Sequence, residues 1–197
     1  MVKKGTWRKF GLIGLLFSVW LVLGAWSSFG TPESEPESMQ QLLAKETSDS
    51  ERSVQIINTQ GEKIGMALLK NVPVGVKVSL EVSDLPPGTH GLHFHMTGLC
   101  TPPDFKSAGG HYNPEGKKHG FNNPEGPHAG DLPNLDIGAN GKGKTEFITQ
   151  LVTLVKGKSN SILKDGGTSL IIHQGTDDYQ TDPAGNSGDR IACGAIK

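Results

Sequence analysis

Seven histidines lie between positions 90 and 173, and imidazole is the commonest metal ligand among protein side chains. They are His90, His93, His95, His111, His119, His128 and His173. His93 and His95 are two residues apart in an apolar stretch that predicts a strand. Because alternate side chains of a strand point to the same face, these two imidazoles can share one ion. The spacing predicts a metal site on one face of a sheet.

A Gly- and Pro-rich interval from Thr97 to Pro133 carries three further histidines, His111, His119 and His128, followed by Asp131. Three imidazole nitrogens and one carboxylate oxygen form a sensible tetrahedral shell for zinc. His173 ends another apolar strand and adds an imidazole near the site on the sheet. Four nitrogens in a near-square arrangement suit copper(II), whereas a closed set of three nitrogens and one oxygen suits zinc.

Short apolar or alternating segments separated by turn residues supply the elements that hold these side chains. The 27 Gly and 12 Pro favour turns and short strands over long helices. Eight strands are predicted, at 54–57, 63–69, 76–82, 91–96, 135–137, 144–155, 169–173 and 191–196. This cadence is typical of an all-β antiparallel sandwich or barrel. The intervals 97–133 and 174–189 lack a strand pattern, and irregular segments of this length are usually functional.

The N-terminal residues differ in composition from the rest. Lys3, Lys4, Arg8 and Lys9 precede an apolar run from Phe10 to Trp26, which predicts a signal peptide or an N-terminal membrane anchor over 1–30. Its length leaves cleavage and retention open, and both place the following domain outside the cytoplasm. Residues 31–52, rich in Glu, Ser and Pro, predict a disordered acidic linker. The folded domain is expected over 53–197.

Cysteine content and net charge narrow the function further. In an exported domain Cys100 and Cys193 predict one disulfide that joins the first long interval to the last strand, and two unrelated buried thiols are the alternative. A formal net charge of -1 argues against a nucleic-acid binder, because phosphate recognition needs a concentrated basic face.

Five separate strings, in order along the chain, resemble the copper/zinc superoxide dismutase family. They are GTHGLHFH (88–95), AGGHYNP (108–114), KHG (118–120), PHAGDL (127–132) and GNSGDRIACGAI (185–196). The resemblance covers roughly Val54 to Lys197. It implies a Greek-key antiparallel β-sandwich, a flattened eight-stranded barrel with two long functional loops. The bacterial, exported type of the family fits the leader, with a location in the periplasm, in the cell envelope or outside the cell, and with membrane contact only through an uncleaved N-terminal segment.

The resemblance also implies a ligand set for each metal. The implied copper ligands are His93, His95, His111 and His173, and the implied zinc ligands are His111, His119, His128 and Asp131. A shared His111 must lose both ring protons, which is reasonable only between two cations. Asp177 matches a carboxylate that joins His93 to His119 and fixes their orientation. His90 matches a residue that braces the copper site through hydrogen bonds.

The implied activity is the dismutation of superoxide to oxygen and hydrogen peroxide by a redox-cycling copper next to zinc. Arg190 is expected to receive the anionic substrate, and His111 to deliver a proton to the forming peroxide. The second long interval departs from many relatives, since it contains four aspartates and no lysine. Electrostatic guidance is then either weak or supplied by Lys106, Lys117 and Lys118 from the first interval.

Two other functions compete with catalysis. A metal buffer or delivery module would keep the fold without turnover, but it needs neither Arg190 nor an open copper face. A cell-surface sandwich domain with an incidental histidine-rich loop does not explain the spacing of the histidines. The residues leave the oligomeric state open, including a homodimer.

Overall fold

The computed structural model describes residues 50–197. They contain nine β-strands, all paired antiparallel, and one short 3-10 helix between β5 and β6. The strands are β1 (Glu51–Asn58), β2 (Lys63–Val72), β3 (Gly75–Val82), β4 (Gly88–His90), β5 (Leu92–His95), β6 (Leu135–Ile137), β7 (Gly143–Thr149), β8 (Thr168–His173) and β9 (Arg190–Ile196). The helix spans Lys106–Ala108. The prediction of an all-β antiparallel domain is confirmed.

Alternation of apolar and polar side chains explains why strands such as β3 form where they do. In β3, Val76, Val78 and Leu80 are fully buried, while the residues between them carry hydroxyl or charged groups on the outer face. Burial of each such apolar side chain stabilises the fold by about 1.5–3 kcal/mol. β8, by contrast, is buried along its whole length, because the long loops cover the face that would otherwise meet solvent.

The nine strands form one sheet in the order β4-β6-β7-β3-β2-β1-β9-β8-β5. Its two ends, β4 and β5, are neighbours in the chain with only Gly91 between them. The extended segment 88–95 therefore pairs with β6 through its first half and with β8 through its second half. This change of partner brings the two ends of the sheet together in a nearly closed barrel.

The predicted strand at 91–96 differs from the structure at this point. Gly91 donates its N–H to the Gly175 carbonyl and accepts a hydrogen bond from the His173 N–H, so it binds the chain that follows β8. A β-carbon at Gly91 would lie 2.9 Å from Cβ of Ser187, which favours glycine there. The segment therefore contributes two strands, and the barrel has nine strands where eight were expected.

A second difference concerns the predicted strand at 144–155, because β7 ends at Thr149. The apolar residues beyond it, Val152 and Leu154, are buried in the main core without pairing as a strand. The Leu154 N–H instead donates to Oδ1 of Asn71, at 3.0 Å. The alternating apolar pattern here therefore marks buried core residues of a segment that is not a strand.

The two long intervals remain irregular apart from the short helix, as predicted. We call residues 97–133 the first loop and residues 174–189 the second loop. A disulfide joins Cys100 of the first loop to Cys193 of β9, with 5.7 Å between their Cα atoms, which confirms the predicted pairing. Beside it, Phe105 and Ala108 pack against Ile171 in a small core separate from the main one. The first loop is therefore fixed both covalently and by apolar burial.

The N-terminal boundary is described only in part. β1 begins at Glu51, two residues before the predicted start of the domain. The predicted leader over 1–30 and nearly all of the predicted linker lie outside the described residues. Within 50–197 no helix is long and apolar enough to cross a membrane.

Candidate metal centre

Six histidines converge where β5, β8 and the first loop meet. β5 provides His93 and His95, and β8 ends with His173. Isolated antiparallel bridges then bring the loop against β5, with Asp131 opposite His93 and His111 opposite His95. All seven predicted ligands are buried. They are His93, His95, His111, His119, His128, Asp131 and His173.

Four imidazoles, those of His93, His95, His111 and His173, form the first donor set. A hydrogen bond on one ring nitrogen shows that the other ring nitrogen is the one directed at the middle of the set. Nδ1 of His95 donates to the Gly109 carbonyl at 2.9 Å, and Nδ1 of His173 donates to the Gly188 carbonyl at 3.0 Å. Because a carbonyl oxygen only accepts, each of these Nδ1 atoms carries the proton, and Nε2 of a neutral ring presents a lone pair. His93 is reversed: its Nε2 lies 2.8 Å from Oδ2 of Asp177, which leaves Nδ1 facing inwards.

Within residues 50–197, the inward nitrogens of this set face no hydrogen-bond donor of the protein. Nδ1 of His93 and Nε2 of His111 are buried with no hydrogen-bond partner among the described residues. Nε2 of His95 and Nε2 of His173 face each other at 3.4 Å. An unpaired buried acceptor costs about 1–3 kcal/mol, so four lone pairs directed at one point fit a cation between them. One donor atom from each of the four residues lies within 4.8 Å of all the others.

The second donor set surrounds Oδ1 of Asp131. Nδ1 of His111 and Nδ1 of His119 both lie 3.0 Å from this oxygen, and Nδ1 of His128 lies 3.3 Å from it. Nδ1 of His111 and Nδ1 of His128 are 3.4 Å apart. A tetrahedron with zinc bonds of about 2.0–2.1 Å has edges of about 3.3 Å, so these separations match its edges. The other oxygen of Asp131 accepts the N–H groups of Gly120 and His128, which hold the carboxylate in place.

His111 belongs to both sets, because its two ring nitrogens point in opposite directions. His93 also has a donor atom within 4.8 Å of those of His111, His119 and Asp131. Its Nε2 is however bonded to Asp177, and its Nδ1 faces the first set. His128, whose Nδ1 lies close to both Asp131 and His111, therefore completes the second set, as the resemblance implies.

Asp177 connects the two donor sets through the ring nitrogens that do not face either set. Its two carboxylate oxygens lie 2.8 Å from Nε2 of His93 and 2.9 Å from Nε2 of His119. Asn134 holds the Asp177 backbone through two hydrogen bonds of 2.9 and 3.0 Å, and the Tyr179 N–H donates to its carboxylate. Sequence reasoning identified Asp177 but missed Asn134, for which the only signal was its position three residues after Asp131.

His90 lies outside both donor sets. Its ring nitrogens lie 2.8 Å from the carbonyl oxygens of His173 and Pro86. These contacts tie the end of β8 to the turn before β4. They correspond to the bracing role that the resemblance implies.

Arg190 lies beside the first donor set, in a cleft of about 650 Å³ that also contains Lys106 and Asp189. Nη1 of Arg190 donates to the Phe105 carbonyl at 2.8 Å, and Nη2 donates to the Gly109 carbonyl at 2.7 Å. Both carbonyls belong to the loop fixed by the disulfide. Backbone acceptors carry no sequence signal, and for this reason sequence reasoning missed them.

The pKa values of the histidines are set by burial and by the two carboxylates. Burial lowers the pKa of His93 to about 3 and that of His173 to about 4, and it lowers the pKa of His95 and His111 as well. The first set is therefore neutral and able to bind metal near pH 7. Burial also lowers the pKa of His119, but hydrogen bonds to Asp131 and Asp177 outweigh it and raise the pKa to about 9.

The carboxylates at the centre stay ionised. Burial alone would raise the pKa of Asp131 and Asp177, but hydrogen bonds from the histidines outweigh it and hold both values below the ordinary range. Burial lowers the pKa of Arg190 from a high starting value, and the guanidinium remains a cation near pH 7. The centre thus combines four neutral imidazoles in the first set, a His119 ring whose raised pKa favours its protonated form, two anionic carboxylates and the guanidinium of Arg190.

The acidic residues of the second long loop have mainly structural partners. Asp178 accepts hydrogen bonds from Thr181 and Gln180, and Asp182 accepts the His119 N–H and pairs with Lys118. Of the three lysines considered for substrate guidance, Lys106 alone lines the cleft of Arg190. Lys117 and Lys118 pair with Glu115 and Asp182.

Comparison with known proteins places this geometry in one family. The family model described as copper/zinc superoxide dismutase (SODC) matches residues 63–196. The protein named superoxide dismutase [Cu-Zn] 1 of Aquifex aeolicus is 55% identical over 143 residues, which are 72% of this chain and 85% of the relative. Superoxide dismutase [Cu-Zn] 2 of the same organism is 50% identical over 157 residues, which are 79% of this chain and 92% of the relative.

Solved structures agree with these matches. A SOD-like protein from Bacillus subtilis is 45% identical with a TM-score of 0.71, over 74% of this chain and 97% of that one. The Cu/Zn superoxide dismutase of Brucella abortus is 29% identical with a TM-score of 0.60, over 75% of this chain and 99% of that one. The strand order, the shared His111 and these matches together lead to one conclusion: the chain belongs to the copper/zinc superoxide dismutase family.

Proposed function

We propose that this protein dismutates superoxide to oxygen and hydrogen peroxide. The observation that carries the proposal is the pair of donor sets that share His111 next to the guanidinium of Arg190. Two superoxide ions and two protons give one oxygen and one hydrogen peroxide, so the site must exchange single electrons and supply protons. Copper supplies the reversible one-electron redox change when it is bound, which zinc cannot do.

Each ligand has a defined place in this proposal. The copper ligands are Nδ1 of His93 and Nε2 of His95, His111 and His173. The zinc ligands are Nδ1 of His111, His119 and His128, together with Oδ1 of Asp131. The support is the tautomer that each outer hydrogen bond imposes, the unpartnered buried nitrogens and the near-tetrahedral separations.

Arg190 binds the anionic substrate at the entrance. Two carbonyls hold its guanidinium, so its charge is already oriented before superoxide arrives and no reorganisation is needed during the reaction. Lys106 lies in the same cleft and adds a second positive charge, although Asp104 pairs with it at 2.8 Å. This arrangement favours short-range capture over strong long-range guidance.

His111 supplies the proton that the forming peroxide takes. Its Nε2 faces the first donor set and has no hydrogen-bond partner among the described residues, so this nitrogen could hold a proton whenever it is not bound to copper. Its Nδ1 stays among the second set, next to Asp131, and this keeps the ring in position. Asp177 and Asn134 hold His93 and His119 in the orientations that both sets require.

The protein acts outside the cytoplasm in this proposal. The cationic and apolar leader and the disulfide between Cys100 and Cys193 support export, because disulfides persist in oxidising compartments. Whether the leader is removed or kept as an anchor, the domain meets superoxide outside the cytoplasmic membrane. A homodimer is compatible with the proposal but is not needed for it.

Reconstitution tests the function directly. Metal-free protein is loaded with copper and zinc or with zinc alone, and superoxide consumption is measured for both, together with metal content and a copper(II) spin-resonance spectrum. We expect rapid dismutation only with copper. Stoichiometric copper binding with a four-nitrogen spectrum but no superoxide consumption would instead identify a metal-binding module without turnover.

A further inference from the structure

Met96, the residue after β5, is exposed and packs on the backbone that holds two groups of the candidate metal centre. It follows His95 directly, and it is 48% exposed. Of the described residues only Met66 and Met96 are methionines, and Met66 lies on β2. Peroxide converts an accessible methionine thioether into a sulfoxide, which changes an apolar side chain into a polar one.

The side chain of Met96 lies against Gly109 of the first long loop. A β-carbon placed on Gly109 would lie 2.7 Å from Cγ of Met96 and 3.1 Å from its Sδ. The Met96 N–H donates to the Gly110 carbonyl at 2.9 Å and the Thr97 N–H to the Ala108 carbonyl at 3.0 Å, so the two segments are joined on both sides of this contact. The sulfur atom therefore packs directly on the Gly109 peptide.

The Gly109 carbonyl holds two functional side chains at once. It accepts Nδ1 of His95 at 2.9 Å and Nη2 of Arg190 at 2.7 Å. The first bond orients an imidazole of the first donor set, and the second orients the guanidinium that receives the substrate. A displacement of this one peptide would disturb both groups together.

We propose that Met96 is a site of oxidation by hydrogen peroxide, and that its sulfoxide lowers turnover by displacing the Gly109 peptide. The inference rests on the proposed function, which supplies the peroxide. The thioether sulfur attacks one peroxide oxygen while the O–O bond breaks, so the sulfur loses two electrons and gains that oxygen. The second oxygen takes both protons and leaves as water. The larger and polar sulfoxide no longer packs on Gly109 as the thioether does.

The test exposes the copper- and zinc-loaded protein to a stream of superoxide, and separately to added hydrogen peroxide. Peptide mass spectrometry with fragmentation measures oxygen addition at Met96 and at Met66, while the dismutation rate is followed in the same samples. We expect Met96 to gain oxygen several-fold faster than Met66, and the rate to fall by roughly tenfold as it does, since small displacements of positioning groups are costly. Catalase should prevent both changes, and a methionine sulfoxide reductase should reverse them.

Two matched variants locate the effect. Met96→Leu keeps an apolar side chain over Gly109, and it should start at the parent rate and resist peroxide. Met66→Leu should lose activity as the parent does. Equal sensitivity of Met96→Leu and the parent, oxygen found on His93 or His95 in place of Met96, or full activity of the Met96 sulfoxide would each overturn the inference. A loaded protein that does not consume superoxide would refute the proposed function, and the relative oxidation of Met96 and Met66 by added peroxide would still test the site.

Discussion

At the scale of single residues, Arg190 is the group whose role separates substrate capture from metal binding. Replacement by Ala should lower the second-order rate by about tenfold or more, because the fixed cation at the entrance is lost. Both metals should remain bound, since within residues 50–197 the guanidinium of Arg190 donates its hydrogen bonds to backbone carbonyls and to no candidate ligand. Rate measurements at several salt concentrations, with metal analysis of the same samples, check this expectation. A fall in metal content in step with the rate would show a structural role.

His173 tests the copper assignment, because its inward nitrogen belongs only to the first donor set. His173→Ala should abolish dismutation and leave zinc bound, since the second donor set does not include this residue. Metal analysis and activity after reconstitution measure the two effects. Near-normal activity in this variant would rule out His173 as a ligand.

Asp131→Ala is the matching test of the second set. Five contacts converge on this carboxylate: the ring nitrogens of His111, His119 and His128 and the N–H groups of Gly120 and His128. Its removal should weaken zinc binding far more than copper binding and lower the melting temperature, because a structural zinc contributes folding free energy directly. Unchanged zinc content and melting temperature would contradict the assignment.

Acid should destabilise the metal-free domain through the first donor set. Folding lowers the pKa of His93 to about 3 and that of His173 to about 4, from an ordinary value of 6.5, because burial disfavours the charged ring. Below pH 6.5 the unfolded chain therefore binds protons that the folded chain does not, and the free energy of unfolding falls as the pH approaches these values. His119 acts in the opposite direction: its pKa is raised to about 9, so its contribution is present below pH 6.5 and is lost towards pH 9.

Urea unfolding of metal-free protein at about pH 7 and about pH 5 measures this effect, which should be on the order of a few kcal/mol. A transition midpoint that is equal or higher at the lower pH would contradict it.

At the scale of elements, the disulfide joins the two segments that position Arg190. Cys193 lies on β9, three residues after Arg190, and Cys100 lies on the loop whose carbonyls hold the guanidinium. The bridge spans 93 residues, and in the chain-entropy model a closed loop of this length is worth about 4–5 kcal/mol. A Cys100→Ser and Cys193→Ser double variant should lose stability and show a larger relative loss of rate than of bound metal. Calorimetry, rates and metal analysis test this, and a stable variant with unchanged rate would show that the small core around Phe105 suffices.

Sequence patterns predicted most of these elements because period-two alternation survives wherever one face of a strand meets solvent. The strand prediction was wrong where an apolar segment is buried in the core without pairing with a neighbouring strand. Val152 and Leu154 alternate as in a strand, yet they are buried in the main core without forming one. The break at Gly91 between β4 and β5 could not be predicted from the sequence either, because it depends on the close approach of Gly91 to Ser187.

The candidate ligands were identified from residue type, spacing and family resemblance, and the structure brings their side chains together; their binding of metal stays a prediction. The groups that hold them were harder to predict. The carbonyls of Phe105, Gly109 and Gly188 orient Arg190, His95 and His173, and any residue type can supply a carbonyl. Asn134 acts on Asp177 through the backbone, so its effect depends on the folded path of the second loop.

At the scale of the whole molecule, the fate of the leader decides where the protein resides. All three tryptophans, Trp7, Trp20 and Trp26, precede position 27. If a signal peptidase removes the segment, the released protein should show no tryptophan emission and should remain in solution without detergent. If the segment is kept, the protein should fractionate with membranes and emit as a tryptophan protein. Intact mass of the natural product distinguishes the two, and a full-length cytoplasmic form would contradict export.

The way the sheet closes has a consequence for self-association. A strand at the end of a sheet offers unpaired backbone groups as a template on which other chains can add and grow into fibres. The outer side of β5 is covered by the first loop, through backbone hydrogen bonds between Phe94 and both Gly130 and Tyr112. The same loop carries His111 and Asp131, so a metal that holds these ligands also holds the cover in place. Retention of zinc should thus keep the protein monodisperse during prolonged storage at high concentration, and its removal should expose β5 as a point of fibre growth.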